Sequence, residues 1–125
     1  TAIHSTIKAA RERFPFRRIW CVYQPHQYQR LAYLWKDFKS AFDLADRICL
    51  LPVYDVVGRE TKEAKKSVDS LRLAAALLKR GKQVSYQKTF VDAERLLKDE
   101  ARAGDVVVIM GAGDIYGWAD AFVKT

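Results

Sequence analysis

Cysteine is scarce in this chain and unpaired by spacing: Cys21 and Cys49 form no C-x-x-C motif and have no histidine close by in sequence. Each falls within a segment of strand character, so both are expected to be buried free thiols of a reducing compartment. No apolar run approaches the roughly 18 residues of a membrane span, and no charged-then-apolar leader opens the chain. A soluble, cytoplasmic protein without a membrane partner is the expectation, and a start at Thr1 rather than Met suggests a piece of a longer one. Zinc-ligand spacing, a nucleophile elbow, a Cys-His pair and a G-x-x-x-x-G-K-[ST] phosphate loop are also missing. These absences argue against a self-contained metalloenzyme, hydrolase or nucleotide hydrolase, and no metal site is expected. Internal repeats and low-complexity tracts are absent as well.

What is present fits one domain: 125 residues, 50% of them hydrophobic, can bury a single core. The net charge of +7 permits anionic partners without naming one. Its cations are dispersed, with Arg11, Arg13, Arg17 and Arg18 around the first turn and Lys62, Lys65 and Lys66 in a later loop. No nucleic-acid-binding motif accompanies them, so nucleic acid is not an expected partner.

Helical spacing of Ile3, Ile7, Ala10 and Phe14 predicts an amphipathic helix over 2–13, ended by Pro15. His4 lies off that stripe and is expected at the surface. A strand over 18–23 follows, then a helix over 28–46 with Leu31, Leu34, Phe38, Ala41, Phe42 and Ala45 on one side. The apolar run 47–53 reads as a buried parallel strand. A polar loop covers 54–68, long enough to be a lid or a solvated connection. Ser67 or Asp69 can cap the next helix, whose apolar face is expected to hold Leu71, Ala74, Ala75 and Leu78 and which Gly81 closes. The alternating 82–87 suits a short strand near a sheet edge. Thr89, with Asp92 three residues on, opens a helix carrying Phe90, Ala93, Leu96, Leu97 and Ala101, ended by Gly104. The β-branched run 105–110 is expected to be a central strand, and Asp114 can cap a last helix with Ile115, Trp118, Ala119 and Phe122 inward. This order of elements predicts an α/β fold with an open, mostly parallel sheet flanked by helices. Right-handed crossovers then gather the loops after Tyr23, Val53 and Met110 on the carboxyl edge, where such sheets bind ligands.

The chemistry concentrates at Tyr23-Gln24-Pro25-His26-Gln27-Tyr28-Gln29-Arg30. Pro25 bars helix at Gln24 and cannot pair in a sheet, so the strand must stop and the chain must turn. A helix starting near His26 places His26 and Arg30 on one face at its positive end, a setting suited to a carboxylate or phosphate. A second turn, Gly111-Ala112-Gly113-Asp114, follows the last strand. It is not a dinucleotide fingerprint: Gly117 falls one position late for G-x-G-x-x-G, and too little chain follows for a ribose-binding acid about 20 residues on. It reads either as a structural turn or as glycines admitting a close backbone approach to a loop or a phosphate.

With these residues in place, the chain resembles the C-terminal domain of the Mur ligases. The matching segments occur in order: A-A-R-E-R-F-P at 9–15, Y-Q-P-H-Q-Y-Q-R at 23–30, A-D-R-I-C-L-L-P-V-Y at 45–54, V-D-S-L at 68–71 and G-D-V-V-V-I-M-G-A-G-D-I at 104–115. The resemblance implies a Rossmann-like sheet and a single domain, 1–125, at the end of a larger ligase. It implies an ATP- and Mg2+-dependent reaction of peptidoglycan precursor synthesis, joining L-alanine to the lactyl carboxylate of UDP-N-acetylmuramate through an acyl phosphate. ATP and Mg2+ would be held mainly by the N-terminal and central domains, and this piece alone would be catalytically silent. His26, Gln27, Tyr28 and Arg30 would face the amino acid and the transferring phosphoryl group, positioning rather than abstracting protons. Gly111, Gly113 and Asp114 would form a turn near substrate or nucleotide. Gln27 stands where the family usually carries Arg, which removes a fixed positive charge. A non-catalytic α/β binding or regulatory module of the same fold, or a domain of a murein peptide ligase, are the alternatives.

Overall fold

The structure, a computed structural model, describes residues 2–25, 40–52 and 70–111. Helix α1 (Ala2–Arg13) is followed by β1 (Ile19–Tyr23), β2 (Arg47–Leu50), α2 (Ser70–Lys79), β3 (Gln83–Tyr86), α3 (Phe90–Glu100) and β4 (Val106–Met110). The strands form a sheet in the order β3-β2-β1-β4 with every pairing parallel. The expected α/β architecture is therefore observed. Register is fixed by the pairs Tyr23↔Leu50, Tyr23↔Met110 and Leu50↔Tyr86, so the strands end together at one carboxyl edge.

Strand β1 is enclosed by β2 and β4, and all of Ile-Trp-Cys-Val-Tyr is buried. Alternation sends Cys21 and Tyr23 to one face, where they pack with Ile7, Phe42, Ile48, Leu50, Leu73 and Leu77. Trp20 and Val22 go to the other, with Cys49, Leu51, Ala93 and Leu97. Helices α1 and α2 thus cover one face and α3 the other. The cysteines are free and buried, as expected, and serve opposite cores. Burial pushes the Cys49 thiol up to about 12 and raises Cys21 further, with the nearby Cys49 adding to it. Neither is a nucleophile near neutral pH.

Four expectations need correction. Strand β4 ends the sheet order instead of lying inside it, and Val107 is 36% exposed. Its β-branched side chains fit a pleated, half-buried surface as well as a central one. The buried face of α2 holds Ser70, Leu73, Ala74 and Leu77, whereas Leu71 and Leu78 are 58% and 57% exposed. That helix is apolar on most sides, so periodicity alone did not fix which stripe turns inward. Helix α3 ends at Glu100 with Ala101 as its cap, whose N–H donates to the Leu97 carbonyl; Gly104 lies in the turn beyond. At Gly81 the expectation holds: φ is +84°, and Lys82 N–H reaches the Leu77 carbonyl at 3.0 Å while Gly81 N–H reaches that of Leu78. The 28–46 helix lies mostly outside the described residues, as do the 54–68 loop, Ser67, Asp69 and the last helix; where it is described it ends at Ala41, short of 46, and Phe42 and Ala45 are buried beside Ala41 from a turn, with Ala45 N–H donating to the Phe42 carbonyl at 3.0 Å.

The amino edge is tied down by carboxylates. Asp105 Oδ2 accepts from Arg18 Nε and Nη2 at 3.0 and 2.8 Å, from Trp20 Nε1 at 2.9 Å and from Arg102 N–H at 2.9 Å. Burial opposes its ionisation, but these bonds and the Arg18 charge outweigh burial and lower its pKa to about 2. Asp46 Oδ2 accepts from Ile19 N–H at 2.7 Å and from Arg11 at 2.5 Å. Arg47 pairs with Glu100 at 2.7 Å and lies over the Trp20 ring.

Candidate functional site

The carboxyl edge is where the chain leaves β1 for its most polar stretch. Gln24 N–H donates to the Met110 carbonyl at 3.0 Å, extending the β1–β4 ladder one step beyond the strands. Leu51 N–H donates to Tyr23 O, and Gln87 N–H to Leu50 O. Pro25 is buried directly after Gln24, and Gly111 directly follows β4 with φ +154°, a conformation that favours glycine. The first-strand junction and the glycine turn therefore leave the sheet side by side at the same edge.

Of the residues picked out from sequence, the structure describes Gly111; His26, Gln27, Tyr28, Arg30, Gly113 and Asp114 lie outside the described residues. What sequence reasoning missed is Gln24 itself. Its side chain is 7% exposed, and its Oε1 is buried with no hydrogen-bond partner among the described residues. Such an acceptor costs about 1–3 kcal/mol when left unmet. Gln24 lines a cavity of about 240 Å³ together with Leu51, Pro52, Lys88, Thr89 and Phe90. Helix α3 points its N-terminus at this place: Thr89 is the N-cap, accepting from Asp92 N–H at 3.1 Å. The sequence signal was Thr89 after a short strand, at a strand-to-helix junction. It was legible as a cap, but nothing in the sequence put it beside Gln24.

A larger hollow, about 560 Å³, opens at the amino edge and includes Arg11, Arg17, Arg18, Arg47 and Lys82. Most of these cations already serve the fold. Arg11 reaches Asp46 and the carbonyls of Leu44 and Arg17, Arg18 reaches Asp105 and Glu100 O, and Lys82 reaches Asp43 O. Cations here offset the negative ends of α1 and α3. The carboxyl edge, with an unmet polar group, is the candidate site.

The profile of the Mur ligase, glutamate ligase domain matches residues 1–113. The chain belongs to the Mur ligases. It is 37% identical over 122 residues to a UDP-N-acetylmuramate–L-alanine ligase of Caldanaerobacter subterraneus, covering 98% of this chain and 25% of that protein. To the ligase of the same name from Alkaliphilus metalliredigens it is 38% identical over 114 residues, covering 91% of this chain and 24% of that protein. The chain thus spans about a quarter of the length of the curated Mur ligases it matches. The crystal structure of the UDP-N-acetylmuramate-alanine ligase of Thermotoga maritima superposes with a TM-score of 0.71 at 24% identity, over 98% of this chain and 23% of that one. At that identity the likeness speaks for the fold, which is the Mur ligase parallel sheet with its helices. Among the described residues no group of three or more His, Cys, Asp or Glu could hold a metal ion, and no helix is long and apolar enough to cross a membrane.

Proposed function

We propose that this chain is the amino-acid-binding C-terminal domain of an ATP-dependent, cytoplasmic ligase that joins L-alanine to UDP-N-acetylmuramate in peptidoglycan precursor synthesis. The observation that carries the reading is identity of 37–38% across nearly the whole chain to ligases of that name. The geometry supports it: Gln24-Pro25 leads into His26, Gln27, Tyr28 and Arg30 from the carboxyl end of a fully buried strand, beside Gly111.

In this reading His26 and Arg30 hold the carboxylate of the incoming amino acid and offset charge on the transferring phosphoryl group, while Gln27 and Tyr28 complete the wall and Gly113 and Asp114 the facing turn. ATP with Mg2+ supplies the phosphoryl group that activates the carboxylate of the other substrate. Both are assigned to the N-terminal and central domains, since this chain carries no phosphate loop. The domain's own work is to position the nucleophile and to close over the nucleotide. The purified 125-residue piece should therefore turn over no ATP.

One residue favours a second reading, a module that kept the fold and lost the chemistry: Gln27 replaces the family's fixed cation. Phosphate release by the intact protein with UDP-N-acetylmuramate and a panel of amino acids separates the two. Release that depends on L-alanine supports the ligase; no release with any amino acid overturns it in favour of the module.

A further inference from the structure

The hollow at the amino edge joins distant parts of the chain, from Arg11 and the 15–18 turn through Asp46 and Arg47 to Gly81, Lys82 and Gln83. Its charges can be matched one by one. Arg11 pairs with Asp46, Arg18 with Asp105 and Arg47 with Glu100, while Arg80 takes the carboxylate of Asp43. Two lining cations, Arg17 and Lys82, are left without a carboxylate among the described residues. Lys82 Nζ donates only to the Asp43 carbonyl, at 2.8 Å, and the Arg17 guanidinium makes no hydrogen bond and lies 5.5 Å from the centre of the Phe14 ring. Phe16 lines the same hollow and is 99% exposed, on a turn in which Arg17 N–H donates to the Phe14 carbonyl at 3.3 Å. Next to Lys82 there is open space, since nothing lies within 4 Å of where a Cβ on Gly81 would stand. At about 560 Å³ the hollow is of small-molecule size, and it offers a bare aromatic ring and two unanswered cations.

We propose that this hollow binds a nucleoside phosphate, its base stacked on Phe16 and its phosphate received by Arg17 and Lys82. An exposed aromatic ring accepts any base on its face, and a phosphate oxygen accepts charge-assisted bonds from a guanidinium and an ammonium. Inorganic phosphate alone would leave the Phe16 ring in water. A polynucleotide needs a run of phosphate contacts, whereas three of the five lining cations are already held by carboxylates. The hollow lies at the opposite end of the strands from the reaction site proposed above, so the inference goes beyond the ligase reading and does not depend on it.

Photolabelling of the intact protein with 5-iodouridine monophosphate tests this, because iodouridine crosslinks to side chains in contact with the base and the labelled peptide reports the place, apart from any nucleotide bound by other domains. Saturable label is expected on the peptide that carries Phe16, mapped by mass spectrometry. Excess cytidine monophosphate should reduce it about tenfold, and equal concentrations of cytidine or of inorganic phosphate by less than about twofold, since each supplies half of the contacts. Arg17→Met and Lys82→Met should each lower the label about fivefold or more, the scale of a lost charge-assisted bond, and Arg17→Lys, which restores the charge, should recover most of it. No label at Phe16 overturns the inference, as does label that either Met variant leaves unchanged. Displacement by inorganic phosphate as strong as by cytidine monophosphate overturns the role of Phe16 and leaves a bare anion site. Displacement by a single-stranded oligonucleotide at about a hundredfold lower nucleotide concentration overturns the mononucleotide in favour of nucleic acid.

Discussion

At the amino edge of the sheet, Asp105 gathers the indole of Trp20, the guanidinium of Arg18 and the backbone N–H of Arg102, and Asp46 gathers Arg11 and the N–H of Ile19. At the carboxyl edge, Gln24 is more deeply buried than either carboxylate, and its Oε1 has no hydrogen-bond partner among the described residues. The two edges belong to the same strands. A polar group met from within the chain holds the fold together, whereas one left unmet costs stability. The cations of the larger, more basic hollow at the amino edge are mostly engaged by the fold, and the carboxyl edge is kept as the candidate site.

The contrast can be tested from its strong end. Trp20→Ala empties a fully buried ring position and removes a donor from Asp105, and is expected to cost about 3–5 kcal/mol, read from denaturant midpoints. Asp105→Asn keeps the shape but loses the charge that holds Arg18, for an expected loss of about 2–4 kcal/mol. Its pH dependence has a definite sign. Because folding lowers the Asp105 pKa to about 2 from 3.8, its contribution is complete above the higher value and is lost as pH falls through the lower. The stability gap between wild type and Asp105→Asn should therefore be wide at pH 6 and narrow toward pH 2; a constant gap would separate the Asp105 cluster from acid unfolding.

At the carboxyl edge the expected losses are in function. His26→Ala and Arg30→Ala in the intact ligase should each raise the barrier for amino-acid use by about 1.5–3 kcal/mol, the scale of a charge-assisted hydrogen bond, seen in kcat/KM for L-alanine at unchanged Tm. Unaltered alanine kinetics in both would remove them from the site. The smallest effect belongs to Thr89→Ala, which deletes the α3 cap and should cost about 1 kcal/mol in thermal unfolding.

Much of the architecture was legible before any coordinates. Ile3 and Ile7 at helical spacing, the Pro15 stop, the Thr89 cap and the Gly81 turn are local signals, and each is where it was expected. The inward stripe of α2 was not legible, because Leu71, Leu73, Leu77 and Leu78 are equally apolar and only the sheet beneath selects Leu73 and Leu77. Nor was the position of β4, since its five residues suit an edge as well as a centre. At the candidate site, the end of β1 ahead of Pro25 could be read, but the burial of Gln24 and the cavity it lines together with Lys88 could not; residues 26–30 lie outside the described residues.

By itself the sequence determined the kind and order of the described elements and hence a parallel sheet with one shared carboxyl edge, because capping, turn chemistry and hydrophobic period act over a few residues. Its ordered motifs also carried the Mur ligase kinship. Only the tertiary structure decided which polar groups are answered and which are left open. Whether a buried oxygen finds a donor depends on residues dozens of positions away, as Asp105 finds Trp20 while Gln24 Oε1 finds no donor among the described residues.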